Sequence, residues 1–132
     1  MIVVLDSNVS ISALQFASGH GTPTRALEKA VNEDVIATSD EIDAELIRVL
    51  TERFHWTRQL AEAALRRMLE RSIRVTLHGT VHLCRDPSDD KFLECAERAH
   101  ANLIITGDND LLALKSHKRT KIMTPAEYLP LP

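Results

Sequence analysis

Residues 2–6 read Ile2-Val3-Val4-Leu5-Asp6, a short apolar run, rich in β-branched residues, that ends at an acid. A continuous run of this kind predicts a strand buried on both faces, because a half-buried strand would alternate apolar and polar residues. The polar side chains of Ser7 and Asn8 can then cap a helix that runs towards Ala17. The chain therefore opens as a buried strand followed by a helix.

Apolar runs and helical spacings alternate along the rest of the chain. The runs predict strands at residues 35–38, 73–77, 103–106 and 121–123. The helical spacings predict helices at residues 22–31, 39–50, 57–71, 91–100 and 108–114, a last helical turn at 124–127, and a break at 18–23. Such alternation predicts an α/β fold, a three-layer sandwich in which helices flank a central, mainly parallel sheet. We expect the strands that begin at Ile2 and Leu103 to be neighbours or near neighbours in that sheet.

Length and composition narrow the class of protein. The chain has 132 residues, of which 44% are hydrophobic and 27% are charged, and this matches one globular domain over residues 1–132. No apolar run approaches the ~18 residues that a membrane span requires, and no signal-peptide pattern is present, so we expect a cytoplasmic protein. The net charge of −3 argues against binding of nucleic acid through overall positive charge. We expect Cys84 and Cys95 to be free thiols.

Acids follow several of the predicted strand-to-helix junctions. Asp6 comes directly after the first strand, Asp108 follows the strand at residues 103–106, and Asp89 stands at the start of a later helix. Ligands of a parallel α/β sheet bind at the carboxyl ends of its strands, where these junctions meet. Glu45 lies about one and a half turns into its helix and can project over the same edge. We therefore expect a cluster of carboxylates there.

Such a cluster needs compensation, because like charges a few ångströms apart raise one another's pKa. A hard divalent cation such as Mg²⁺ takes oxygen ligands and is often shared with a substrate phosphate. One ion can activate a water, and a second can stabilise the leaving oxygen of a phosphodiester. Each acid also has an ordinary structural interpretation as a helix cap, a turn residue or a solvated helix acid. The convergence of three junctions on one edge favours hydrolysis of phosphodiesters with a bound metal.

Four short motifs occur in order along nearly the whole chain. They read Leu5-Asp6-Ser7-Asn8-Val9, Ser39 followed by Glu45-Leu46, Arg85-Asp86-Pro87-Ser88-Asp89-Asp90-Lys91-Phe92-Leu93, and Ile105-Thr106-Gly107-Asp108-Asn109-Asp110-Leu111-Leu112. Together they resemble the PIN-domain family of metal-dependent ribonucleases, and in particular the toxin components of prokaryotic toxin–antitoxin pairs. The tail Thr124-Pro125-Ala126-Glu127-Tyr128-Leu129 is similar to the tail of that branch.

The resemblance implies a site for Mg²⁺ or Mn²⁺. The acids that it assigns to the metal are Asp6, Glu45, Asp89 and Asp108, with Asn8 and Thr106 as polar support and Asp110 as an acid that reaches the site through water. The third motif departs from the family, because related sequences read D-P-D-D-N-K where this chain has Ser88 in place of an acid and Asp90 in place of an amide. We assign the ligand to Asp89 by its spacing from the buried face of its helix, and Asp90 remains the alternative.

The implied activity is cleavage of single-stranded RNA by water, which leaves 5′-phosphate and 3′-hydroxyl ends. The implied partners are the RNA, a cognate antitoxin protein and a second copy of the chain, bound through the helices of residues 41–71. Two alternatives stay open: a catalytically silent binding module with the same fold, and a phosphotransfer domain of the haloacid dehalogenase or receiver type. Asn8 stands where the dehalogenase type needs a second acid, and Lys121 precedes the strand that it would follow in a receiver.

The residues His78, His82 and Cys84 also raise the possibility of a zinc site. The four-residue spacing of the two histidines suits zinc binding from a helix. Gly79 and the β-branched residues around it argue against a helix in this segment, so we do not expect zinc here.

Overall fold

A computed structural model describes residues 1–16, 19 and 21–132 of the chain. Its strands are β1 (Ile2–Leu5), β2 (Val35–Thr38), β3 (Ser72–Arg74), β4 (Leu103–Ile105), β5 (Ser116–His117) and β6 (Thr120–Met123). Its helices are α1 (Ser7–Gln15), α2 (Thr22–Glu33), α3 (Asp40–Glu52), α4 (Arg58–Met68), α5 (Asp90–Ala99), α6 (Asn109–Leu114) and α7 (Pro125–Tyr128), with a short 3₁₀ helix at Pro87–Asp89. Within these described residues, every helix is too short or too polar to cross a membrane.

The strands form one sheet in the order β3-β2-β1-β4-β6-β5. All neighbouring strands are parallel except the β5–β6 pair, which is antiparallel. Strand β1 lies beside β4, with Val4 opposite Ile104, so the prediction that these two strands are neighbours or near neighbours is confirmed. Helices flank this sheet, and the predicted three-layer α/β sandwich is confirmed as well.

The sequence of β1 and β4 explains why they lie at the centre of the sheet. Val3, Val4, Ile104 and Ile105 have no exposed surface, because helices cover both faces of these strands. Helix α5 packs against β1, β2 and β4. Successive strands are added on opposite sides of β1: the chain places β2 and β3 on one side and then β4 and β6 on the other. This change of side creates a switch point between the carboxyl ends of β1 and β4.

Several predicted boundaries differ from the structure. The strand predicted at residues 73–77 ends at Arg74, and after Val75 donates its backbone N–H to Thr38 O the chain leaves the sheet. The short strand β5 was not predicted, because two residues carry too little pattern to recognise. The apolar spacing of the helix predicted at residues 57–71 favours Leu60 on its buried side. Leu60 is instead 55% exposed, since α4 buries Ala61, Leu65 and Met68. Helix α1 ends at Gln15, and Ala17, the predicted end of that helix, lies outside the described residues. So do Ser18 and His20 of the predicted break.

Candidate active site

Two of the four predicted acids follow the carboxyl ends of the two central strands. Asp6 comes directly after β1 and caps the N-terminus of α1, where it accepts the backbone N–H of Asn8. Asp108 comes after β4 and caps α6, where its Oδ1 accepts the backbone N–H of Asp110 at 2.7 Å. Both acids are therefore helix caps, and both also stand at the switch point of the sheet.

Thr106 connects these two caps. Its hydroxyl donates to Asp6 Oδ2 at 2.6 Å and accepts the backbone N–H of Asp108 at 3.0 Å. The Thr106 side chain has no exposed surface, and its own backbone N–H is held by Met123 O in the neighbouring strand. The hydroxyl thus fixes one oxygen of Asp6 relative to the loop that carries Asp108.

Asp6 is a buried acid with acidic neighbours. Only 3% of its surface is exposed. Burial raises its pKa most, and the nearby charges of Asp108 and Glu45 raise it further, while the bonds from Thr106 and from the Asn8 backbone partly oppose this rise. The structure therefore brings Asp6, Asp108 and Glu45 within electrostatic reach of one another.

Asp89 joins the same group from the 3₁₀ helix that precedes α5. Its pKa is raised to about 6, first by burial and then by the charges of Asp6, Asp108 and Asp86, against which Lys91 acts in the opposite direction. We refer to Asp6, Glu45, Asp89 and Asp108 as the acidic cluster.

Asp90 has a different role from its neighbour. Its Oδ1 accepts the backbone N–H groups of Leu83 at 3.0 Å and Cys84 at 2.8 Å. Burial would raise the pKa of Asp90, but these bonds outweigh burial and hold the pKa below its ordinary value. Asp90 thus ties the loop before the 3₁₀ helix to α5, whereas the electrostatic neighbours of Asp89 belong to the acidic cluster. The geometry favours Asp89 over Asp90 as the cluster's residue.

Glu45 reaches the cluster from α3, and two residues that sequence reasoning did not assign to the site hold it there. Ser7 Oγ donates to Glu45 Oε2 at 3.2 Å, and Lys91 Nζ lies 2.6 Å from the same oxygen. Ser7 is 3% exposed, and sequence reasoning considered it only as a cap. The positions of Ser7 and Lys91 in two of the four motifs were the available signal for a role in the site.

Two supporting residues take a more peripheral place. Asn8 is exposed, and its backbone N–H, rather than its side chain, contacts Asp6. Asp110 is exposed on the first turn of α6, and its backbone N–H donates to Asp108. The contacts that these two residues make with the acidic cluster therefore come from the backbone.

The donor chemistry of the cluster fits a hard divalent cation. Its available donors are carboxylate oxygens, which Mg²⁺ and Mn²⁺ prefer. In the part of the chain that the structure describes, no group of three or more His, Cys, Asp or Glu side chains is arranged to hold an ion. The cluster is thus a set of neighbouring carboxylates rather than a closed coordination shell. This suits Mg²⁺, which keeps several waters and is usually bound by one or two carboxylates.

His78, His82 and Cys84 lie in the loop between β3 and the 3₁₀ helix, and Cys95 lies within α5. Residues 75–86 contain no helix, as the sequence predicted, so His78 and His82 do not share a helix face. Cys84 and Cys95 are free, as expected. Burial raises the pKa of both thiols to about 12, which keeps them protonated and unreactive at neutral pH.

Comparison with known proteins places this chain in a family. A family model described as "PIN domain" matches residues 2–110. The chain therefore belongs to the PIN-domain family of nucleases, as the four motifs predicted.

Two individual proteins are similar to the chain over most of its length. One is an uncharacterized protein, MJ1680, of Methanocaldococcus jannaschii, which is 29% identical over 140 residues that cover 96% of this chain and 88% of the relative. The other is the crystal structure of VapBC2 from Rickettsia felis bound to a DNA fragment from their promoter. One chain of it superposes with a TM-score of 0.65 at 16% identity, covering 94% of this chain and 98% of that one. This second likeness concerns the fold.

Proposed function

We propose that residues 1–132 form one endoribonuclease domain that hydrolyses phosphodiester bonds of single-stranded RNA with Mg²⁺ or Mn²⁺ in the cytoplasm. The observation that carries the proposal is the surroundings of Asp6. This acid is 3% exposed and has acids as its charged neighbours, and the described residues form no salt bridge with it. A buried carboxylate without an internal cation is stabilised by a cation from solution.

The acidic cluster would hold the ion: Asp6 and Asp108 follow β1 and β4 at the switch point, Glu45 is an electrostatic neighbour of Asp6, and Asp89 is an electrostatic neighbour of both Asp6 and Asp108. When bound, the divalent cation supplies positive charge that polarises a water and neutralises phosphate oxygens. The chain itself supplies orientation. Thr106 holds Asp6 Oδ2 and the Asn8 backbone holds Oδ1, so each oxygen keeps a lone pair for a ligand. Water is the nucleophile in this scheme, so the products carry 5′-phosphate and 3′-hydroxyl ends.

The test is cleavage of an end-labelled single-stranded RNA by the purified protein. We expect cleavage with Mg²⁺ or Mn²⁺ and none with EDTA, and Asp6→Asn and Asp108→Asn should each lower the rate roughly a thousandfold. Glu62→Gln, which removes a partly exposed acid of α4, is the matched control and should cleave like the wild type. Activity that survives EDTA, or either Asn variant cleaving near the wild-type rate, would refute the metal-dependent nuclease. An inactive wild type would favour the silent binding module.

We also propose that the protein is the toxin of a toxin–antitoxin pair. The four sequence motifs support this, and the likeness in fold to VapBC2 supports it too, since that structure contains a complex bound to promoter DNA. The partner would be an antitoxin protein, encoded next to this chain. Co-expression with the adjacent small reading frame should relieve growth arrest caused by the wild type, and Asp6→Asn should cause no arrest. Arrest by Asp6→Asn would separate toxicity from the acidic cluster.

The protein should form a homodimer through the surface of α3 and α4. Leu60 of α4 is 55% exposed and Phe54, in the connection between α3 and α4, is 36% exposed, and exposed apolar side chains favour association. Sedimentation at high micromolar concentration should give a dimer, and Leu60→Glu should weaken it. A wild-type monomer at that concentration would contradict this part of the proposal.

A further inference from the structure

Lys91 is a cation that the fold places directly against the acidic cluster. Its Nζ lies 2.6 Å from Glu45 Oε2 and also contacts the backbone oxygen of Ser88. The Lys91 side chain is 15% exposed and that of Glu45 is 25% exposed, so the pair stands at the border between the protein and solvent. The contact joins the start of α5 to α3 and to the 3₁₀ helix.

The contact uses an oxygen of a residue that the proposed function assigns to the metal. Ser7 Oγ and Lys91 Nζ both approach Glu45 Oε2, and so they occupy the lone-pair directions of that oxygen. A divalent cation that coordinates this oxygen must displace the ammonium group, because two cations repel each other at such distances. Lys91 and the metal are therefore competitors for Glu45 Oε2.

This ion pair differs from one that only supports the fold. Glu94, for example, is 4% exposed in its salt bridge with Arg98, and three backbone N–H groups complete its hydrogen bonds. Glu45 is more exposed, and its contacts with Ser7 and Lys91 are made by one oxygen. A lysine side chain is flexible and compact at its charged end, so it can leave such a partner without unfolding its surroundings.

We propose that Lys91 is a positioning residue that changes partners during the reaction cycle. It neutralises Glu45 while the acidic cluster holds no divalent cation, and it turns to a phosphate of the RNA once a cation takes Glu45. This inference rests on the proposed nuclease function and assigns the exchange to one side chain. It explains how the RNA-free cluster tolerates its acids, and it places a positive charge at the entrance for the substrate.

The first experiment is a calorimetric titration of the RNA-free protein with Mn²⁺. Lys91→Met should bind Mn²⁺ roughly five- to tenfold more tightly than the wild type, because the competing cation is gone. Lys91→Arg keeps the charge and should bind within about twofold of the wild type. Lys121→Met removes the same charge from an exposed position in β6. Lys121 lies opposite Leu103, at the amino-terminal end of β4, whereas the acidic cluster lies at the carboxyl ends of the strands, so this variant should also match the wild type. Lys91→Gln is a second neutral variant if Lys91→Met does not fold.

The second experiment measures steady-state cleavage at saturating Mn²⁺. Lys91→Met should raise KM for single-stranded RNA several-fold, with a smaller change in kcat, whereas Lys121→Met should leave both unchanged. Equal or weaker Mn²⁺ binding by the neutral Lys91 variants would overturn the inference. If in that case Asp6→Asn still abolishes Mn²⁺ binding in the calorimetric titration, only the inference about Lys91 fails and the proposed function is retained. A wild type that binds no Mn²⁺ would overturn both.

Discussion

Asp6 and Glu94 are buried to the same degree, since each leaves 3% of its surface exposed, but the fold surrounds them with opposite partners. Glu94 accepts three backbone N–H groups, from His78, Gly79 and Thr80, and forms a salt bridge with Arg98 at 2.7 Å. Burial would raise the pKa of Glu94, but these donors outweigh it and the pKa lies below its ordinary value. At Asp6 burial prevails and acidic neighbours add to it, so the pKa is raised.

A third buried acid follows the pattern of Glu94. Asp34 is 6% exposed, and it is held by the amino terminus of Met1 at 2.9 Å and by the hydroxyl of Tyr128. This chain therefore provides cations for the buried acids that only support the fold. At Asp6 it provides neutral donors and more acids, which is the arrangement of a site that takes its cation from solution.

The largest change in stability that this comparison predicts is for Glu94→Gln. The substitution removes the charge that Arg98 pairs with and leaves part of the hydrogen bonding of residues 78–80 unmet. The free energy of unfolding should fall by about 2 kcal/mol, measured by urea denaturation. Glu62→Gln breaks an exposed i,i+4 pair with Arg58 and should cost under ~0.5 kcal/mol. Equal losses for the two variants would remove the contrast between Glu94 and an ordinary surface acid.

Thr106→Val tests the neutral support of Asp6 with little change of shape. Valine cannot donate to Asp6 Oδ2 or accept from the Asp108 backbone, so both groups lose a partner inside the protein. Unfolding free energy should fall by about 1 kcal/mol, and Mn²⁺ affinity should fall several-fold because Asp6 is no longer oriented. A variant that matches the wild type in both measurements would show that this hydroxyl does not organise the site.

Asp89 should make the stability of the metal-free protein depend on pH. Its pKa is raised to about 6 in the folded protein from 3.8, so folding favours its protonated form. The stability that this gives is complete below about pH 3.8 and is lost as the pH rises through about 6. In EDTA, the melting temperature of Asp89→Asn relative to that of the wild type should therefore rise between pH 4 and 6. Above pH 6 the difference should stay constant at about 2 °C in favour of the variant. If the melting temperature of Asp89→Asn instead falls relative to that of the wild type over this interval, the pKa of Asp89 is not raised in the folded protein.

The smallest effect should come from Asp90→Asn. The amide oxygen of asparagine can still accept the backbone N–H groups of Leu83 and Cys84, which are the contacts of Asp90. Cleavage and Mn²⁺ affinity should stay within about twofold of the wild type. If Asp90→Asn instead abolished activity and Asp89→Asn did not, the ligand assignment would move to Asp90.

The sequence predicted the central strands and the acids that follow them for a simple reason. A buried parallel strand must be a continuous apolar run, and the residue after it stands at the ligand edge, so Asp6 and Asp108 could be placed from local pattern. The depth of Glu45 in its helix allowed it to project over the same edge, but its own helix pattern is that of a solvated acid, and only the resemblance assigned it to the metal. Thr106 could be named as support only through the same resemblance.

The features that escaped prediction depend on contacts distant in sequence. Lys91 meets Glu45 across 46 positions, and Ser7 meets it across 38, which no local periodicity encodes. Leu60 was wrongly placed inside, because its helical spacing fits two adjacent faces of α4 and the packing of that helix chose Ala61 and Leu65. The distinct roles of Asp89 and Asp90 likewise depend on how the loop before the 3₁₀ helix folds back.

Thermal melting of Asp6→Asn with and without Mn²⁺ tests most directly whether Asp6 lacks an internal cation and takes one from solution. In EDTA the variant should melt about 3–5 °C above the wild type, because it removes a buried charge among acids. At Mn²⁺ a hundredfold above its Kd, the wild type should gain about 2.7 kcal/mol and the variant little. If Asp6→Asn melts below the wild type in EDTA and keeps the full gain from Mn²⁺, then Asp6 only supports the fold, as Glu94 does. In that case Asp6 does not take a cation from solution.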